Sequence, residues 1–398
     1  MSERKVCIVG IGSTLHSVLP TRSWRSLLVE SVNKALDDAN LTIDDVNAGY
    51  LSMGSHEMHG QNHPAGMANW EIGMWPKGLT HIENACASGT TATRAGWLNV
   101  LSGKSDIVLV AGVDKNTDNV NAWQAIGAHT DVEWEYNFGL AWGPLMAHVK
   151  RLHMKTYGST DEQWLTFPVT LHEYAVKNPY CNQYGKKPLT LEDVKNSPPL
   201  YGPARMIELC PMTDGSTSVI LASEDVAKKL TKKPLVYIEH IAMGSDPQLL
   251  GNRWRWGDGK NGLLQWRGEI EASNECYRKA GITPDDIDLC TVHDSGTVVS
   301  MVHLENMGIF KQGEAPRMVY EGQTRIGGKC PCSTHGGMRW LGHPIGASGL
   351  NQVHELTLQL RGDAEKDGRQ VPNAEFGMFS NEGSNGASML VGILKRGG

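Results

Sequence analysis

The sequence predicts a duplicated α/β fold, in which two similar halves each form a parallel sheet with helices on its faces. Two internal echoes carry that expectation. The stretch Glu30–Val46 recurs as Glu271–Ile287, with Glu30, Ala39, Thr42, Asp44, Asp45 and Val46 opposite Glu271, Ala280, Thr283, Asp285, Asp286 and Ile287. Each copy reads as a helix, a turn of the form Leu/Ile-Thr-x-Asp-Asp, then a strand. The Thr suits a cap, because its side chain can bond backbone groups of the following turn. The second echo pairs Cys86-Ala-Ser-Gly and the strand Asp106–Gly112 with Gly346-Ala-Ser-Gly and the strand Phe376–Phe379. Packed together, two such halves bury a helix layer between two sheets.

The 398 residues are too many for one small core and fit such a duplicated fold. A first half is expected over residues 1–120, completed by about 206–230, and a second over 231–398. Between them, residues 121–205 form an inserted segment rich in Trp, Tyr, His, Asn and Pro, with loops at Lys186-Lys-Pro and Ser197-Pro-Pro. An insertion of that length covers a site or an interface. The first half resumes at Asp214–Leu221, which reads as an edge strand after a turn.

With 40% hydrophobic and 20% charged residues, the composition is that of an ordinary globular protein. The net charge of −6 argues against a nucleic-acid groove, so any anionic substrate must meet local basic groups. The N-terminus runs directly into an apolar strand pattern, without an export-type segment, and no apolar run reaches membrane-spanning length. Eight scattered cysteines read as mostly reduced thiols, and the expected location is the cytoplasm. Twelve tryptophans against five phenylalanines suit either core packing or a pocket walled by flat aromatic rings.

Three segments carry candidate chemistry. In Asn84-Ala-Cys86-Ala-Ser-Gly, a cysteine at a strand-to-helix turn lies near unpaired amides and the positive helix end, which favours thiolate. The small residues Ala87, Ser88, Gly89, Ala92, Ala95 and Gly96 let that helix pack deeply, so Cys86 reads either as a core residue or as a buried nucleophile. Gly342-His343-Pro-Ile-Gly-Ala-Ser-Gly349 is a glycine-rich turn into a helix, where His343 is either a solvated cap residue or an imidazole aimed at an oxyanion or at the sulfur. Val292-His293-Asp294-Ser-Gly ends an apolar strand, a common seat of catalytic groups in α/β folds; a satisfied buried histidine is the plain alternative. Cys330-Pro-Cys332 with His335 offers three ligands at most and no second cysteine pair, which counts against zinc. Gly10-Ile-Gly12 is too short to argue a dinucleotide site.

In that order along nearly the whole chain, Cys86-Ala-Ser-Gly, Cys210-Pro-Met-Thr-Asp-Gly215, the glycine-rich run Gly336–Gly349 and Asn381-Glu-Gly-Ser-Asn-Gly386 resemble the thiolase superfamily. His293-Asp294 stands where most thiolases carry Asn-Glu, which is similar to the sterol-carrier-protein and lipid-transfer-protein type. The resemblance implies a five-layer αβαβα fold with an inserted loop domain, and a homodimer core. It implies Cys86 as acyl-accepting nucleophile, His343 as its activator and His293 as a donor to the thioester oxygen. The backbone amides of Cys86 and Gly383 would form the other oxyanion pocket. One departure is that Asn381 stands where thiolases place a second, acid/base cysteine. His56 is the candidate substitute, with His335 a weaker one.

The implied reaction is cleavage of a β-keto acyl-CoA by coenzyme A, a co-substrate rather than a bound cofactor, without metal, nicotinamide or flavin. The histidine-bearing motif and the tryptophans suggest an aromatic or branched acyl group, such as that of benzoylsuccinyl-CoA. Relatives of that kind act with a small zinc-ribbon/OB-fold subunit, so such a partner is expected; nucleic acid and membrane are not. Rival readings are acyl transfer between carbons without CoA, a retro-aldol cleavage, and a non-catalytic thiolase-fold scaffold.

Overall fold

The two copies of the repeat fold alike. In the computed structural model, which describes residues 4–119, 122–255 and 262–397, helix Trp24–Ala39 starts at Ser23, whose hydroxyl accepts the Ser26 amide at 3.2 Å. It ends in a left-handed Asn40 (φ 56°), and helix Arg267–Ala280 ends at the matching Gly281 (φ 70°). In the turns that follow, the aspartate does the capping. Asp45 accepts the Thr42 amide at 2.8 Å and its hydroxyl at 2.9 Å, and Asp286 accepts the same groups of Thr283 at 2.8 and 2.7 Å.

The strands are β1 (Val6–Ser13), β2 (Ala48–Ser52), β3 (Leu79–Ile82), β4 (Ile107–Lys115), β5 (Pro199–Tyr201), β6 (Ala204–Arg205), β7 (Asp214–Ser223), β8 (Val236–Ser245), β9 (Leu289–Thr291), β10 (Phe376–Gly383) and β11 (Ser388–Arg396). Apart from the β5–β6 ribbon they run in the order β3-β2-β4-β7-β1-β8-β11-β10-β9. Read outward from the centre, β1-β7-β4-β2 and β8-β11-β10-β9 repeat one order, joined by a short antiparallel β1–β8 contact. Only the pairs linked by helical crossovers, β2–β3, β2–β4 and β9–β10, are parallel; the remaining neighbours are antiparallel. The expectation of wholly parallel sheets is therefore corrected. So is the edge position of Asp214–Leu221: β7 lies between β4 and β1 and is buried along its whole length.

Helices Ser88–Leu101 and Ile345–Arg361, the two members of the second echo, pack on each other between the halves. A Cβ on Gly89 would stand 2.9 Å from the Gly346 carbonyl oxygen and 3.0 Å from the Leu350 amide, so backbone meets backbone there. Every residue of Ile345–Arg361 is buried, and its polar side chains are tied to both halves. Gln352 donates to the Ser380 carbonyl at 2.8 Å, and Arg361 pairs with Asp38 at 2.7 Å. Outer helices complete the layers, Trp24–Ala39 over β1 and β7 and Arg267–Ala280 over β8 and β11.

Between β4 and β7, helices Trp142–Tyr157 and Asp161–Ala175 pack on helix Thr297–Asn306. Trp97, Trp164, Trp266 and Trp340 are buried in the core, whereas Trp70, Trp75 and Trp134 are exposed.

Candidate active site

Cys86 sits on a locked turn. Ala85 before it takes φ +48°, a left-handed conformation unusual for alanine. The Ser88 hydroxyl accepts the Asn84 amide at 2.8 Å and donates to the Ala85 carbonyl at 2.6 Å. The Asn84 side chain donates to Thr91 Oγ1 at 3.0 Å. Gly383 closes on this turn from β10, where a Cβ would stand 2.7 Å from the Asn84 carbonyl oxygen. The sequence thus brings Gly383 to the Cys86 turn by close backbone approach.

The Cys86 sulfur and one ring nitrogen each of His293 and His343 lie within 4.8 Å of one another. The two imidazoles meet edge to face, centroids 5.3 Å apart. Their tautomers differ. Ser348 gives its hydroxyl proton to the Pro344 carbonyl at 2.9 Å, so at 2.7 Å it accepts from His343 Nδ1–H, leaving a lone pair on Nε2. Asn381 donates from Nδ2 to His293 Nδ1 at 2.8 Å while its Oδ1 accepts from Thr90 Oγ1 at 2.7 Å. His293 therefore carries its proton on Nε2. One imidazole thus offers a lone pair at Nε2 and the other an N–H.

Burial holds both rings neutral, His343 pushed down to about 4 and His293 well below the usual histidine value, with His343 itself contributing to the latter. The Cys86 thiol is pushed well above its ordinary value by burial, then by Glu382 and Cys210. The expected thiolate preference is thus corrected in the resting protein: removal from water and a neighbouring carboxyl outweigh the helix end. Cys86 therefore rests as a thiol.

The remaining predicted residues lie as follows. Asn381 is fully buried with both ends of its amide engaged, and an amide has no proton to titrate. His56 lines a different cavity, beside His63, His81 and Glu83. His335 is buried near Glu355 and Arg369, and burial pushes it down to about 4. Cys330 and Cys332 belong to the apolar core. Asp294 serves structure: its carboxylate accepts the Met338 amide at 2.9 Å.

Sequence reasoning missed four groups. Cys210 and Ser295 line the cavity that holds Cys86, His343 and Trp142. Ser348, inside a motif read only for its glycines, sets the His343 tautomer. Glu382 is fully buried, 3.7 Å from His293 Nε2 and 3.9 Å from His303 Nε2, and neither of its oxygens has a full hydrogen-bond partner. A carboxylate between Asn381 and Gly383 at the end of an apolar strand was the available signal. Residues 126–143 and 200–212 supply much of the cavity wall, so the segment between β4 and β7 covers the site.

Residues 8–183 match the thiolase N-terminal domain and residues 263–396 the thiolase C-terminal domain-like family. The chain is 36% identical over 394 residues to the acetyl-CoA acetyltransferase of Methanothermobacter thermautotrophicus, spanning 99% of this chain and 100% of that one. It belongs to the thiolase family and is an acyltransferase. Sterol carrier protein 2 of Bos taurus is 28% identical over 414 residues, covering 99% of this chain and 73% of that protein. The fold is shared with the Ltp2–ChsH2(DUF35) aldolase, at a TM-score of 0.83 and 23% identity over 98% of each chain. Human mitochondrial 3-ketoacyl-CoA thiolase in complex with CoA has a TM-score of 0.72 at 17% identity, over 99% of this chain and 98% of that one. Among the described residues no helix is long and apolar enough to cross a membrane.

Proposed function

We propose that this thiolase cleaves a β-keto acyl-CoA with coenzyme A through an acyl thioester on Cys86. The grouping of the Cys86 sulfur with one nitrogen of each histidine within 4.8 Å carries the reading. His343 Nε2 takes the Cys86 proton, and the thiolate attacks the keto carbon of the substrate. The carbon–carbon bond breaks, an acyl-CoA enolate leaves and the acyl group stays on sulfur. CoA then attacks that thioester and releases Cys86. His293 Nε2–H is the side-chain donor to the thioester oxygen that becomes the enolate. The amides of Cys86 and Gly383 serve the other oxyanion, each donor site supplying roughly 3–4 kcal/mol.

The acyl group is the finer part of the proposal. Trp142, Tyr201, Leu200, Leu209 and Met212 give the cavity apolar walls, which favour an aromatic or branched acyl group over acetyl. The acetyl-CoA acetyltransferase relatives make acetoacetyl-CoA the natural comparison substrate. We further propose a homodimer that works with a small zinc-ribbon/OB-fold subunit; the DUF35 component of the aldolase complex is the structural precedent for such a pairing.

The test is thiolysis of acetoacetyl-CoA and of an aromatic β-keto acyl-CoA, followed by CoA consumption. Cys86→Ser should abolish both. Near-normal thiolysis by that variant removes Cys86 as the nucleophile.

A further inference from the structure

This inference rests on the proposed thiolysis and assigns two proton transfers within it. His343 takes the Cys86 proton and returns it when the acyl group leaves, so it is occupied throughout. The enolate carbon of the departing acyl-CoA still needs a proton, and the incoming CoA thiol must lose one. Asn381 has no titratable proton, and His56 faces another cavity.

Of the eight cysteines, six are buried; Cys86 and Cys210 are the two that are partly exposed, and both line the same cavity. The backbone holds Cys210 between the two histidine-bearing segments. Its amide donates to the Ser295 carbonyl at 2.9 Å, two residues beyond His293, and bridges join Leu209 to Gly296 and Met212 to His343. Ser295 lines the cavity beside it, and its buried hydroxyl has no hydrogen-bond partner. A thiol and an unsatisfied hydroxyl thus lie side by side on one wall of the cavity that holds Cys86, a cavity that His129 also lines.

We propose that Cys210 is a second catalytic thiol, which protonates the enolate carbon and later takes the thiol proton of incoming CoA. The transfers balance. After cleavage Cys210 is a thiolate while His343 is an imidazolium. CoA–SH then passes its proton to Cys210, the CoA thiolate attacks the acyl group, and the released Cys86 thiolate recovers its proton from His343. Burial pushes the Cys210 thiol up to about 12, with Asp294 adding to it, so it keeps its proton at neutral pH and its thiolate is basic enough to deprotonate CoA.

Cys210→Ala and Cys210→Ser test this with acetyl-CoA in deuterated water. The wild-type protein should exchange the acetyl α-protons and show an acetyl adduct on Cys86 by mass spectrometry. Both variants should keep the adduct and the wild-type melting temperature, yet lose α-proton exchange and thiolysis by roughly 100-fold or more. Exchange within threefold of wild type in either variant overturns the assignment. Loss of the adduct in a stably folded variant overturns it too, because the thiol would then act on Cys86 rather than on substrate. A wild-type protein without any adduct sinks the acyl-Cys86 reading instead.

Discussion

Asn381 Nδ2 donates to His293 Nδ1 at 2.8 Å, and this bond sets the His293 tautomer, with the proton on Nε2. An aspartate in its place can only accept. Asn381→Asp should move the His293 proton to Nδ1, leave a bare lone pair on Nε2, and lower kcat by roughly 100–1000-fold, the usual cost of one oxyanion donor. Asn381→Ala, which frees the ring without reversing it, should cost less, about 10–100-fold. Steady-state kinetics of the two variants decide the matter; equal losses would show that the tautomer is irrelevant.

The pH dependence follows from His343. Burial pushes it down to about 4, so it is neutral, and a competent base, at every pH above that. Protonation as the pH falls through about 4 removes the base. Thiolysis after brief pH jumps should therefore stay level between pH 5.5 and 7, roughly, and collapse only near 4. A limb centred near the unperturbed histidine value of about 6.5 would show that His343 is not the base.

Glu382 ties stability to pH with the opposite sign to most carboxylates. Burial pushes it up from 4.5 to about 7; Glu269 adds to this, while His303 and Arg253 oppose it. Across that window the folded protein keeps a proton that the unfolded chain has lost, so stability falls as pH rises through it and stays lowered above. Glu382→Gln should stabilise the protein by roughly 1–3 kcal/mol at pH 8 and by much less at pH 5. Urea denaturation at the two pH values checks this. The same gain at both would mean that Glu382 does not ionise there.

The contact between the central helices predicts a structural sensitivity. An alanine at Gly89 must displace the Gly346 carbonyl or the Leu350 amide, both backbone. Gly89→Ala should cost roughly 1–3 kcal/mol despite its better helix propensity. It should also lower kcat, because Gly89 lies three residues after Cys86. Calorimetry showing an unchanged melting temperature would mean that the helices part without cost.

How much of this was legible in the sequence follows from what each residue depends on. The repeat at Glu30 and Glu271 announced the duplication, because helix, cap and strand are local signals, and both copies end in matching left-handed residues. The central place of β7 was not legible, since a buried strand and an edge strand share the same apolar run and only long-range pairing separates them. Cys86, His293 and His343 stand in distinctive glycine-rich or strand-end contexts, and the fold brings all three together. Their ionisation was misjudged at Cys86, because a helix end is visible in a sequence while burial and a carboxyl from β10 are not. Cys210 and Ser295 escaped because they meet only through bridges between segments about 85 residues apart.

The central claim is that the acyl group resides on Cys86 during turnover. The most direct measurement is mass spectrometry of the intact protein and its peptides after rapid acid quenching, with a β-keto acyl-CoA and no free CoA. One acyl group per chain should appear on the peptide containing Cys86, vanish when CoA is added, and be absent from Cys86→Ser. An acyl group on another residue, or full thiolysis with no adduct on Cys86 at any quench time, would contradict the account.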